Sequence, residues 1–144
     1  MKYSNEVVIQ KPLSKVLELF DNSENMFEWM EGLKKVTPLT KEQGKVHSKM
    51  EMYFELGKRK MHIVETILEK NLPQKMCFEY KSIGMKNWVE IQFQEIDEQQ
   101  TKYISENKFE FKGLFWLMQF FMKNTFIKQS QKYLNDFKTF AEKK

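Results

Sequence analysis

Between Leu33 and Phe111 the chain repeats every two residues, and this constrains its fold more than any other feature. Val46, Ser48, Met50, Met52, Phe54 and Leu56 alternate with His47, Lys49, Glu51, Tyr53 and Glu55. That is a strand with one dry and one wet face. Gly57-Lys58 predicts a tight hairpin. Folding there puts Met61, Ile63, Glu65 and Ile67 on the dry face and His62, Val64, Thr66 and Leu68 outside. Glu65 is thus expected among apolar neighbours, in a register that a one-residue slip would invert. Further strands are predicted from Lys75 to Lys81, Trp88 to Ile96 and Thr101 to Phe111. Their breaks fall at Asn71-Leu72-Pro73, Ile83-Gly84 and Asp97-Glu98. Leu33 to Thr40 carries Pro38, which suits an edge strand. Short connections between consecutive strands call for antiparallel pairing.

The flanks are of two kinds. Tyr3 to Gln10 is a further β-rich run, and Pro12 suits the first turn of a helix carrying Leu13, Val16, Leu17 and Phe20. A second short helix with Met26, Phe27, Trp29 and Met30 follows and ends near Gly32. From Gly113 to Lys144 one long helix is predicted. In its later part Phe126, Tyr133, Leu134, Phe137, Phe140 and Ala141 fall on one side, and Lys128, Gln131, Lys132, Asn135 and Asp136 on the other. Its early part, Leu114 to Met122, has almost no polar face. Such a stretch has to be overlaid, line a cavity, or meet a partner or a membrane. Leu117 and Phe121 point away from the inner stripe, which suggests a homodimer or contact with a membrane surface, with Lys112 and Lys123 at the flanks. The expected architecture is α+β: a seven-stranded antiparallel sheet, two short helices after the first strand, and a long terminal helix against the apolar face.

Composition excludes several functions. The 144 residues suit a single domain spanning 1–144, and 31% charged against 41% apolar residues is an ordinary folded balance. No apolar run approaches the roughly 20 residues of a membrane span. The start has no signal-peptide core, and the single Cys77 fits a reducing compartment, so a cytoplasmic location is expected. The charge of +4 comes from lysines interspersed with acids, with Arg59 the only arginine, which argues against nucleic-acid binding. Nucleotide, zinc-protease and serine-hydrolase motifs are missing, so no cofactor is expected. His47 and His62, expected as outer-face neighbours, lack a third ligand for a metal.

The order β-α-α-β6-α resembles the helix-grip fold of the START-like superfamily, which includes polyketide cyclase/dehydrase-like proteins and the birch-pollen-allergen group. Val7 to Asp21 is similar to that superfamily's opening, a valine- or isoleucine-rich strand, a proline and a helix with a hydrophobic pair. Trp29 and the turn glycines Gly44 and Gly113 also match recurrent positions. The resemblance spans essentially the whole chain and rests on the order of elements more than on any motif. It implies a curved sheet gripping the last helix, with a cavity between them for an apolar or amphipathic molecule.

The inner positions then become candidate ligand contacts. On the strands these are Met50, Met52, Phe54, Met61, Ile63, Phe78 and Tyr80, and on the terminal segment Phe115, Met118 and Met122. Phe27, Trp29 and Met30 are expected beside an entrance shared with the start of the long helix. Thioethers and aromatic rings adapt to irregular apolar volumes, and they equally make an ordinary filled core. Glu65, Tyr80, Tyr103, Ser105 and Asn107 are polar groups on otherwise apolar faces, and buried groups of that kind need partners. Three functions follow: binding of a lipid-like or polyketide-like molecule, a cyclase or dehydratase using the polar groups, or an interaction module with a filled core.

Overall fold

The strands predicted by alternation form one antiparallel sheet. In the computed structural model, which describes residues 1–144, the strands are β1 (Lys2–Ile9), β2 (Leu33–Pro38), β3 (Lys49–Leu56), β4 (Arg59–Asn71), β5 (Lys75–Ser82), β6 (Met85–Asp97) and β7 (Gln100–Phe111). Their order across the sheet is β1-β7-β6-β5-β4-β3-β2, so the proline-bearing β2 is an edge. The β3–β4 hairpin pairs Leu56 with Arg59, Phe54 with Met61, Met52 with Ile63 and Met50 with Glu65. This is the register expected from the sequence, and it keeps Glu65 on the dry face.

Helices α1 (Leu13–Phe20) and α2 (Met26–Trp29) follow β1, joined by a 3-10 turn over Ser23–Asn25. The Asn22 side chain caps that turn by accepting the Glu24 N–H at 3.1 Å. Helix α4 (Lys123–Glu142) lies across the concave face, nearest β1. Its apolar stripe carries Leu134, Phe137, Phe140 and Ala141 into the core. Phe137 is completely buried, with its ring 5.1 Å from Trp29, 5.6 Å from Phe20 and 5.7 Å from Tyr103. Polar ties hold the other half of the stripe: Tyr3 Oη lies 2.6 Å from Ser130 Oγ, and Asn5 Nδ2 donates to Gln131 Oε1 at 2.9 Å.

Three expectations need correction. The terminal helix is not continuous from Gly113. Gly113–Leu117 is a 3-10 segment and Met118–Phe121 a single turn, α3; the chain then breaks at Met122 (φ −115°, ψ 9°) before α4. The reason lies in two anchors. At one, Lys112 N–H donates to Gly84 O at 2.9 Å and Phe115 covers Gly84; at the other, Phe126 packs 4.9 Å from Phe109. The strand expected from Val46 begins at Lys49. Before it, His47 adopts φ +73° in a loop, and the Ser48 hydroxyl closes a turn by donating to Lys45 O. His47 and His62 are therefore not neighbours: His62 opposes Tyr53 and contacts Glu51 Oε1 at 3.1 Å.

Candidate functional site

Along its three central strands the concave face is dry at one end and more accessible at the other. Along β4 the inner side chains run from half-buried Met61 and Ile63 to buried Glu65 and Ile67. On β5, buried Met76 and Phe78 give way to half-buried Tyr80, and on β6 buried Ile91 and Phe93 give way to half-buried Val89, Asn87 and Met85. These three gradients open toward the Gly57 and Ile83-Gly84 hairpins, while Met50, Met52 and Phe54 of β3 and Ser105, Asn107 and Phe109 of β7 stay buried, so access to the inner face, its mouth, lies over β4 to β6 at that end. Glu65 lies about 13 Å inward of Met61, at 3.3 Å per residue of strand.

Glu65 is the exceptional residue on this surface. It is 4% exposed, sits between Met50 of β3 and Tyr80 of β5, and forms no ion pair with any lysine. Loss of water pushes its carboxyl up to about 7, and a hydrogen bond from the Tyr80 hydroxyl offsets part of that rise. Burial and the neighbouring Glu65 charge hold the Tyr80 hydroxyl well above the usual phenol range, with weaker contributions from Tyr103 and Tyr133. Tyr103 is raised by burial alone. Strands β4, β5 and β7 and helix α4 thus gather one uncompensated acid and three phenols in an apolar interior. At neutral pH this acid can either donate or accept a proton.

A second polar row is largely tied together. Asn107 Nδ2 donates to Ser105 Oγ at 3.2 Å, and Asn87 Nδ2 donates to Asn107 Oδ1 at 3.2 Å. Asn5, opposite Ser105 in the register, ties β1 to α4, and its buried Oδ1 has no protein partner. Sequence reasoning missed Asn5 and Asn87, although both hold inner positions in their strands' alternation. Ser105 and Asn107, expected as ligand contacts, are hydrogen-bonded to one another.

The other candidates divide clearly. Met50, Met52, Phe54, Phe78 and Trp29 belong to the packed core, and Met52, at 1% exposure, faces no open space. Met30, Met61, Ile63 and Tyr80 are partly exposed against that core. Met118 and Met122 are half-exposed, whereas Phe115 lies outside on Gly84. Phe27 is half-exposed and lines a surface concavity of ≈ 610 Å³ with Asp136, Thr139 and Lys143, at the far end of α4. The expected entrance beside Phe27 to Met30 and the start of the long helix is thus divided: Phe27 sits about 30 Å from Lys123 along α4, at 1.5 Å per residue, whereas Glu31, next to Met30, meets Lys132 near the middle of α4 at 3.0 Å. A further concavity of ≈ 570 Å³ lies on the outer face of the sheet around Cys77, Trp88 and Lys108, so neither of these two is lined by Glu65 or Tyr80.

No family model and no curated protein matches the sequence. Solved structures do match the fold. One is the Zhui aromatase/cyclase from Streptomyces sp. R1128, at TM-score 0.81 and 12% identity over 99% of this chain and 93% of that one. Another is Ara h 8.0201, at TM-score 0.80 and 11% identity over 100% and 99%. The norcoclaurine synthase from Thalictrum flavum, in complex with dopamine and hydroxybenzaldehyde, matches at TM-score 0.74 and 9% identity over 98% and 86%. This is the helix-grip fold. The START-like resemblance drawn from the order of elements holds at the level of architecture. Within the helix-grip frame, the concave face of the sheet is where this chain places its one buried acid without an ion-pair partner.

Proposed function

We propose that the protein binds a small, mainly apolar molecule in the concave groove, with an uncharged hydroxyl or carbonyl of the ligand turned inward onto Glu65 and Tyr80. The observation that carries this reading is the buried Glu65 carboxyl, which has only a phenol for a partner. A buried polar group so poorly matched gains from a ligand that completes its hydrogen bonding. Met61, Ile63 and Val89 supply the apolar wall toward the mouth. A ligand carboxylate would face the Glu65 charge with no cation to separate them, so fatty acids are disfavoured against phenols and alcohols. The fold's appearance in proteins named as a cyclase and a synthase is compatible with this groove and does not select it.

Binding of 2-naphthol compared with naphthalene tests the reading. The parent protein should prefer the naphthol by about tenfold, the worth of one good hydrogen bond. Glu65→Met should remove that preference while keeping naphthalene. Ile63→Trp, at a half-buried wall position, should block both with little change in melting temperature. No uptake of either compound by the parent would sink the proposal.

A second reading rests on the Glu65 carboxyl titrating at about 7 beside Tyr80. An acid so poised suits proton transfer at a bound carbonyl, the chemistry of a cyclase or dehydratase. Turnover of a bound carbonyl compound, with a rate following the ionisation of Glu65 and lost in Glu65→Gln, separates catalysis from carriage.

A further inference from the structure

The segment from Gly113 to Met122 buries no side chain, although it is among the most apolar stretches of the chain. Leu114 is 87% exposed and Phe121 83%; Trp116, Leu117 and Phe120 are about half-exposed or more. Trp116 and Phe120 pack edge to face at 4.9 Å, so the segment has a shape of its own. It is fastened to the β5–β6 hairpin, whose Ile83 adds a further side chain at 88% exposure. Monomeric surfaces rarely leave so many large apolar groups together without a partner.

Cations surround this projection. Lys81 and Lys86 face each other across the β5–β6 hairpin, and Lys112 and Lys123 bracket the segment. The neighbouring β3–β4 hairpin adds exposed Lys58, Arg59 and Lys60. None of the seven forms an ion pair. Only Glu55 and Glu110 supply negative charge within these stretches of β3 and β7. A two-fold dimer through the patch would set this positive collar against its own copy. A protein groove would cover one stripe of the segment, yet apolar groups occupy nearly every position from Leu114 to Met122.

We propose that this end of the molecule docks on an anionic membrane surface, with the Gly113–Met122 projection and Ile83 entering the headgroup boundary and the lysine collar resting on lipid phosphates. Tryptophan and phenylalanine at such a depth, with basic residues at headgroup level, are the side chains this environment favours. The docking surface surrounds the mouth of the groove but does not depend on what the groove holds.

Flotation of the full chain with vesicles of phosphatidylcholine alone, and of phosphatidylcholine with phosphatidylglycerol, tests it. The protein should float with the anionic vesicles and be released by salt. Leu114→Ser and Phe121→Ser should each weaken binding about tenfold or more, and Lys112→Gln and Lys123→Gln about fivefold each. All four positions are exposed, so far-UV dichroism and melting temperature should stay unchanged. Failure to float with either vesicle type, or equal flotation with both, overturns the proposal. So does a concentration-dependent dimer that Leu114→Ser dissolves, since the occupant would then be a second copy.

Discussion

The two parts of the C-terminal segment contain similar residues and meet opposite fates. From Lys123 onward, large apolar groups recur at helical spacing between lysines, glutamines and aspartate, and the stripe sinks Leu134, Phe137 and Phe140 into the core. From Leu114 to Phe121 there are as many large side chains, but nothing in their order separates an inside from an outside, and the structure leaves them in solvent. Patterning decides burial here, and hydrophobicity alone does not. A side chain is buried where its neighbours in sequence give the element a wet face to turn outward.

The contrast can be broken most sharply at matched phenylalanines. Phe137→Ala should cost about 3–5 kcal/mol in denaturant unfolding, as for other buried aromatic truncations. Phe121→Ala should lie within about 0.5 kcal/mol of the parent; a large loss there would mean that the projection is packed. Next in size is the pH dependence of Glu65. Its folded-state carboxyl titrates at about 7, above the ordinary carboxyl value of 4.5, so the folded state holds an extra proton between those values. Stability therefore falls as pH rises from about 4.5 to 7 and stays reduced above that, by about 3 kcal/mol. Glu65→Gln should abolish the fall, matching the parent near pH 4 and exceeding it at pH 8. A smaller effect is expected at Gly84, where φ is +70° and an added Cβ would strike the Phe115 ring. Gly84→Ala should cost about 1–2 kcal/mol, from left-handed strain and displacement of Phe115. It should also loosen the projection, seen as faster proteolysis between Gly113 and Met122. The least effect belongs to Leu114→Ser, whose melting temperature should equal the parent's.

Much of the fold was legible because alternation and turn residues agree: the Gly57 hairpin alone sets the register that puts Glu65 inside. The break at Met122 was not legible, since an all-apolar run has no phase from which to read a kink, and the anchoring of Phe115 on Gly84 is a contact between distant parts of the chain. For the candidate site, alternation identified Glu65, Tyr80 and Tyr103 as inward-facing. It could not tell that Ser105 and Asn107 satisfy each other and Asn87, because that depends on side-chain geometry across strands. Nor could it separate packed Met52 from half-buried Ile63, which are paired across the β3–β4 hairpin and differ in what packs over each strand.

A 13C NMR titration of the Glu65 side chain, free and saturated with 2-naphthol, bears most directly on the ligand-binding account. A midpoint near 7 that falls with the naphthol bound is the result expected of a buried carboxyl accepting the naphthol hydroxyl as it accepts that of Tyr80. An ordinary carboxylate midpoint, unmoved by the naphthol, would contradict it.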